Sequence, residues 1–518
     1  MVQVVEDIFG IATNPLTKMA QVIRRYTITN SNHMSVGIIT LGATIQNIRV
    51  PDAFQETADV VLGFDDVAGY LKHQDLKFGC TLGRVAGLVS NGEFILDEHR
   101  VIVSKNLDQR HHSDGGFIGF DKVIWDLHLM LVEDIFGIAT NPLTKMAQVI
   151  RRYTITNSNH MSVGIITLGA TIQNIRVPDA FQETADVVLG FDDVAGYLKH
   201  QDLKFGCTLG RVAGLVSNGE FILDEHRVIV SKNLDQRHHS DGGFIGFDKV
   251  IWDLHLMRAD GITLRHVSKA GHEGFPGRLA VMIHFTIDDE SRLFIRIEAK
   301  SNKTTPVDIC NHTYFNLAGH KAGVEGLFEH RFYMEGRKTI ETNTTDKGVL
   351  PTGRCGSVKN SVYDIRQPAF MGDRLRQFKD MPVPGFHVNY ALSKDVTSLD
   401  TRYLGRFLHN PTGRYMDIYS NQPALHFSTA NQLPKQTHGE DPIMGKKCTR
   451  YWQNSGYALQ FMGFPDACNQ TMFPTIIILP GEKYFNETIY QFCVKEPWKC
   501  CATAEELEAM DKDLIRNS

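Results

Sequence analysis

LAVMIHFTIDDESRLFIRIEA, residues 279–299, decides the fold. In its first half Leu279, Val281, Ile283, Phe285 and Ile287 occupy alternate positions, with His284 and Thr286 between them. In its second half Leu293, Ile295 and Ile297 alternate with Phe294, Arg296 and Glu298. Successive side chains of a strand point to opposite faces, so this period marks strands with one buried face. Asp288, Asp289, Glu290 and Ser291 supply a polar turn between the halves, and the stretch predicts a β-hairpin. EFILDEHRVIV at 220–230 reads the same way, as two strands about Asp224–His226.

Outward from these hairpins, Gly- and Pro-rich punctuation recurs in GHEGFPG, VLPTGR, MPVPGF and ILPGEKY, while helical periodicity is scarce. The exception is TAEELEAMDKDLIRNS, 503–518. There Thr503 and Glu506 suit a capping box, and Leu507, Met510 and Leu514 form a narrow apolar stripe. The expectation is an all-β protein, a large twisted antiparallel β-sandwich, with a short C-terminal helix over 503–516.

One feature of the chain is a repeat. Residues 5–130 and 132–257 are identical at every position, including HHSDGGFIGFDKVIWDLHLM at 111–130 and 238–257, and 258–518 has no earlier counterpart. This predicts one large domain, 132–492, preceded by an orphan duplicate of its first third, 1–131, and followed by a tail, 493–518. A partial sandwich leaves strand edges and one sheet face uncovered, so the first copy is not expected to stand alone. The copies compete for the same partner strands, and proximity favours the second. Swapping in the first closes a loop longer by the whole block, a difference of roughly 3 kcal/mol.

Composition excludes several classes. Hydrophobic residues make up 42% and charged residues 22% of the 518, as in ordinary globular chains. A net charge of −5 gives no basic face for nucleic acid. No apolar run approaches the roughly 18 residues of a membrane helix, and the acidic start does not resemble a secretory signal. Nine scattered cysteines form no CxxC or Cys/His metal spacing, so no metal and a reducing compartment, the cytoplasm, are expected. The Asn-x-Thr triplets at Asn302 and Asn343 are read as coincidence in that setting.

The chemistry-bearing cluster is NHTYFN, 311–316, in which His312 is flanked by Asn, Thr and Tyr after the strand-like TPVDIC. Such a cluster can aim a proton donor and hydroxyls at a sugar, although a histidine satisfied in a polar turn is the commoner case. Its neighbours carry a resemblance: LGATIQNIRVPD (168–179), DVVLGFDDVAGY (186–197), GCTLGRVA (206–213), GGFIGFDKVIW (242–252), GHEGFPG (271–277), NHTYFNLAG (311–319), VLPTGR (349–354), YDIRQP (363–368) and PDACNQ…LPGEKY (465–484). Collinear over 135–492, they resemble the galactose mutarotases, or aldose 1-epimerases. The resemblance implies the supersandwich of that family, with one hexose such as galactose or glucose on its concave face. It also implies a cofactor-free interconversion of α and β anomers. A base takes the proton of the anomeric hydroxyl, an acid protonates the ring oxygen, and the ring opens and recloses.

By resemblance His312 matches the proton donor. The base should be a glutamate before the Pro-Asp-Ala motif, but GYALQFMGFPDACNQ places Gln460 there. Glutamine can hold a hydroxyl yet cannot accept a proton at neutral pH. Glu482 does not rescue the role, because the family carries a carboxylate there without using it as the base. Further departures follow: Gly214-Leu215 where the family has Asn-Arg, Asp241 where it has histidine before the Gly pair, His387 for an aspartate in GFHVNY, and His426 for a glutamine in QPALHF. His238 and His239 lie just upstream of Asp241, in a loop that reads as one residue longer. Thr313, Tyr314, His239, Asp241, His387 and His426 are the expected sugar contacts. Two readings stay open: an epimerase in which His387 or His426 supplies the base, and a non-catalytic sugar-binding or regulatory protein. A third, an epimerase of phosphorylated sugars, needs extra Arg or Lys in the pocket.

Overall fold

The structure, a computed structural model, describes residues 3–15, 18–30, 32–53, 56–83, 85–96, 99–124, 129–258, 260–343, 350–381, 383–392, 400–436 and 439–495. The helix expected over 503–516 lies outside these. The chain divides into two compact units, Met1–His128 and Leu129–Ser518. Leu129–Leu131 already pair with Ile155–Asn157, so the second unit begins slightly ahead of its repeated block.

The first unit carries a five-stranded antiparallel sheet, Gln3–Thr13, Ala20–Thr29, Ser35–Ile39, Thr44–Pro51 and Thr57–Asp59, in chain order. A small core of Ala12, Ile23, Ile39, Leu41, Val67 and Tyr70 covers one side. The second unit repeats this sheet as Leu129–Thr140, Ala147–Asn157, Ser162–Ile166, Thr171–Pro178 and Thr184–Asp186. Here the identical sequence joins a much larger core that includes Ile155, Val163, Ile165, Ile172, Ile175 and Val187.

Two large antiparallel sheets complete the second unit. In the nine-stranded sheet, the hairpin Leu279–Ile287 and Arg292–Ser301 lies between Gly261–Ser268 and Lys483–Val494. Its burial alternates residue by residue from Leu279 to Ile287, as the sequence period requires. The six-stranded sheet runs Tyr314–Phe315, Tyr457–Met462, Ala424–Ser428, His387–Ala391, Lys338–Thr342 and Pro351–Ser357. Between the sheets, Ile283, Phe285, Ile295 and Ile297 share one core with Tyr390, Phe427, Leu459 and Phe461. Tyr457 stacks on Phe407 at 4.2 Å and 10°, across the two layers. The result is an all-β sandwich, and α-helix is confined to short turns such as Val194–Lys199, Gly323–Phe328 and Met371–Arg376 among the described residues.

Candidate active site

The six-stranded sheet fixes the site through its alternation. Leu425 and Phe427 face the core, so His426 faces away. Tyr457, Leu459 and Phe461 face the core, so Gln460 faces away. Tyr390 faces the core, so His387 and Asn389 face away. Register then aligns them: Asn389 lies opposite His426, and His426 opposite Gln460, across three neighbouring strands. His426 Nδ1 is 3.0 Å from Asn389 Oδ1, and its ring meets His387 edge-on at 4.8 Å.

His312 enters from the neighbouring segment, just after Cys310–Asn311 pairs with Thr208–Leu209. Its backbone is held by bonds to Cys207 and Gly206, at 2.8 and 2.9 Å. Its Nδ1 lies 3.1 Å from the carbonyl oxygen of Lys204. A carbonyl only accepts, so Nδ1 carries the proton, and a neutral His312 leaves its Nε2 lone pair free. Lys204 itself is left-handed, φ 53°, at the end of a short 3₁₀ turn, which turns that carbonyl towards the histidine. Its ammonium forms an ion pair with Asp241, whose other oxygen accepts from Gly214 N at 2.9 Å. The site is thus assembled from both parts of the domain: Lys204 and Asp241 from the repeated block, His312, His387, Asn389, His426 and Gln460 from the remainder.

Electrostatics follow from this crowding. Burial, then the Lys204 charge, pushes His312 down to about 4, against the opposing pull of Asp241 and the Lys204 carbonyl. Burial, then His387 and His312, holds His426 well below the usual histidine value. Burial also lowers His387, with Asp241 opposing. Burial would raise the Asp241 carboxyl, but the Lys204 ammonium and the Gly214 N–H hold it far below the carboxylate range. At neutral pH the cluster therefore holds three uncharged imidazoles beside one compensated ion pair.

Three of the expected sugar contacts, His239, Thr313 and Tyr314, are buried. His239 has no exposed surface; its Nδ1 lies 2.9 Å from Ser231 O and its ring lies edge-on to Phe275. His238 accepts from Asn218 N at 2.9 Å. Thr313 is fully buried and donates to Asn311. Tyr314 is buried, bonded through its hydroxyl to Gln432, and supports His312 edge-on at 4.9 Å. The hydroxyls of Thr313 and Tyr314 and the Nδ1 of His239 are thus committed to the protein, whereas His239 Nε2 is buried without a hydrogen-bond partner. Lys204 and Asn389 are the additions. Asn389 was available in GFHVNY by simple alternation from His387; Lys204 depends on a left-handed turn with no sequence signature. Among the described residues no cluster of His, Cys, Asp or Glu is spaced to hold a metal ion, and no helix is long and apolar enough to cross a membrane.

One face of the six-stranded sheet thus gathers imidazole and amide side chains, His387, Asn389, His426 and Gln460, close to His312. A family model described as aldose 1-epimerase matches residues 24–130 and again 151–491. Galactose mutarotase of Bos taurus is 35% identical over 339 residues, covering 65% of this chain and 92% of the relative. Galactose mutarotase of Homo sapiens is 34% identical over 342 residues, with coverage of 65% and 92%. Aldose 1-epimerase of Escherichia coli K12 is 27% identical over 359 residues, covering 68% and 98%. In fold, the chain is similar to an aldose epimerase homologue from C. elegans, with TM-score 0.56 and 24% identity over 64% of this chain and 96% of that one. Galactose 1-epimerase from Lactobacillus acidophilus gives TM-score 0.57 at 21% identity, over 71% and 100%. The chain belongs to the aldose 1-epimerase family, and the doubled match reflects its doubled first block.

Proposed function

We propose that this protein interconverts the α and β anomers of a hexose such as galactose or glucose, with His312 moving the proton. The observation that carries this is the 3.1 Å contact of His312 Nδ1 with the Lys204 carbonyl, which leaves Nε2 as an acceptor. Nε2 takes the proton from the anomeric hydroxyl O1, and the imidazolium gives it to the ring oxygen O5 on the same carbon. The C1–O5 bond breaks as the C1=O1 bond forms, rotation about C1–C2 presents the other face, and the reverse transfers close the ring. Asp241 stabilises the transient imidazolium, and a donor with a pKa of about 4 releases its proton readily. Gln460, His426 and Asn389 hold sugar hydroxyls. His387 or His426 is the alternative base, because neutral imidazoles at these positions belong to the same cluster.

Gln460 supports a second reading, a scaffold that binds a hexose without turning it over. Losing a positioned base lowers the rate about 10²–10⁴-fold. The family of known relatives supports sugar chemistry in either case, and a cytoplasmic hexose pool is the expected setting. Polarimetric mutarotation of fresh α-D-galactose and α-D-glucose separates them. The expected result is acceleration by the native protein and its loss in His312→Ala. Binding without acceleration, with activity gained in Gln460→Glu, would establish the sugar-binding reading instead.

A further inference from the structure

We propose that residues 5–130 are an interchangeable partner for residues 258–495, able to take the place of 132–257 and rebuild the same domain. The first unit exposes an apolar face at positions whose twins are sealed. Val60, Leu62, Leu82, Leu88 and Phe94 are 62%, 75%, 37%, 58% and 39% exposed, whereas Val187, Leu189, Leu209, Leu215 and Phe221 are 0%, 0%, 0%, 6% and 2% exposed. The cover in the second unit comes from the unrepeated part of the chain. Leu189 N donates to Tyr314 O at 2.9 Å, Val188 bridges Phe315, Leu209 pairs with Cys310, and Val212 bridges Asp308. The face of the first unit thus fits one known surface, and the chain holds one such surface for two identical claimants.

The first unit is prepared for that surface. Its sheet has the same order and its first two strands the same register as the second, including the bulge at Gly10 that mirrors Gly137. Lys77 and Asp114 form the ion pair that Lys204 and Asp241 form in the site, and Asp114 accepts from Gly87 N at 2.7 Å. Docking 5–130 on 258–495 would therefore restore the block's half of the site, with 132–257 extruded as a loop. Contacts being equal, loop closure alone ranks the two arrangements, and it favours 132–257 by a factor on the order of 10². The exchange becomes visible when the second block is damaged.

The experiment compares full-length Leu209→Asp, Leu82→Asp and the double variant by thermal unfolding and by mass spectrometry of the protease-resistant core. A carboxylate at the sealed position prevents docking, and its mass marks the block that carries it. The expected result is that Leu82→Asp matches the native protein. Leu209→Asp keeps a cooperative core containing the Leu82 peptide and lacking the Asp-bearing one, and the double variant has no core. Leu209→Asp unfolding as completely as the double variant would overturn the proposal, as would a core that retains the Asp-bearing peptide or survives in the double variant. A Leu82-bearing core that forms only as a dimer would assign the face to a second copy and overturn the exchange within one chain.

Discussion

Gln460 lies opposite His426, on the face turned from the core. Gln460→Glu changes no shape and adds an ionisable oxygen. The expected outcome is a mutarotation rate raised about 10²–10⁴-fold at pH 7, the usual contribution of a positioned base. His387→Ala and His426→Ala test the substitute base: a matching loss in one of them assigns it, and unchanged rates in both leave His312 as the sole proton carrier. Lys204 offers a test of the site's field. Its charge is the largest influence on His312 after burial, and its removal also leaves Asp241 unpaired. Both changes favour the imidazolium, so Lys204→Met should raise the His312 pKa from about 4 and move the acid limb of the pH–rate profile upward. A limb that stays in place would mean that the catalytic proton is not on His312.

At the scale of strands, the site is a by-product of core alternation. Phe427, Leu459 and Tyr390 are sealed between the sheets, and the residues beside them in sequence are delivered to the site by geometry alone. This is why the fold was legible in the sequence. The hairpin over 279–299 declared its period, whereas His387, His426 and Gln460 were singled out by departures from the motifs of the resembled family. His239, Thr313 and Tyr314 were harder, because a polar side chain does not announce whether its partner is a ligand or a nearby carbonyl. Lys204 was invisible, since its role rests on a left-handed turn and on Asp241, distant in sequence. The same logic makes a packing prediction. Phe407 stacks on Tyr457 at 4.2 Å and on Phe332 at 5.1 Å, between the layers that hold the site. Phe407→Ala should destabilise the second unit by about 3–5 kcal/mol in urea unfolding, while a shift below ~1 kcal/mol would show that the layers do not depend on this stack.

For the whole molecule, buried histidines set the response to acid. His266, His312 and His409 are pushed down to about 4, and His320 and His330 to about 3, in each case chiefly by burial. Their unfolded forms take up a proton near 6.5, before the folded forms can. As pH falls below 6.5 the unfolded state therefore binds more protons, and stability is lost progressively down to the folded values near 3–4. Each shift of two units or more is worth about 3 kcal/mol. Two carboxyls act in the opposite sense. Burial raises Asp308 to about 7 and Asp248 to about 6, so the folded state holds their protons first and gains stability as pH falls from 7 towards 4. The histidines outnumber them, and the net loss at pH 4 is several kcal/mol, comparable with the roughly 5–15 kcal/mol that holds a folded domain together. Urea midpoints of the second unit should fall steadily from pH 7.5 to pH 4, and a midpoint that holds or rises would mean that the carboxyls win. All five histidines belong to residues 258–495, outside the repeated block. The five histidine shifts therefore come from the unrepeated part of the chain, and because the two blocks are identical in sequence the acid response should be the same whichever copy is docked.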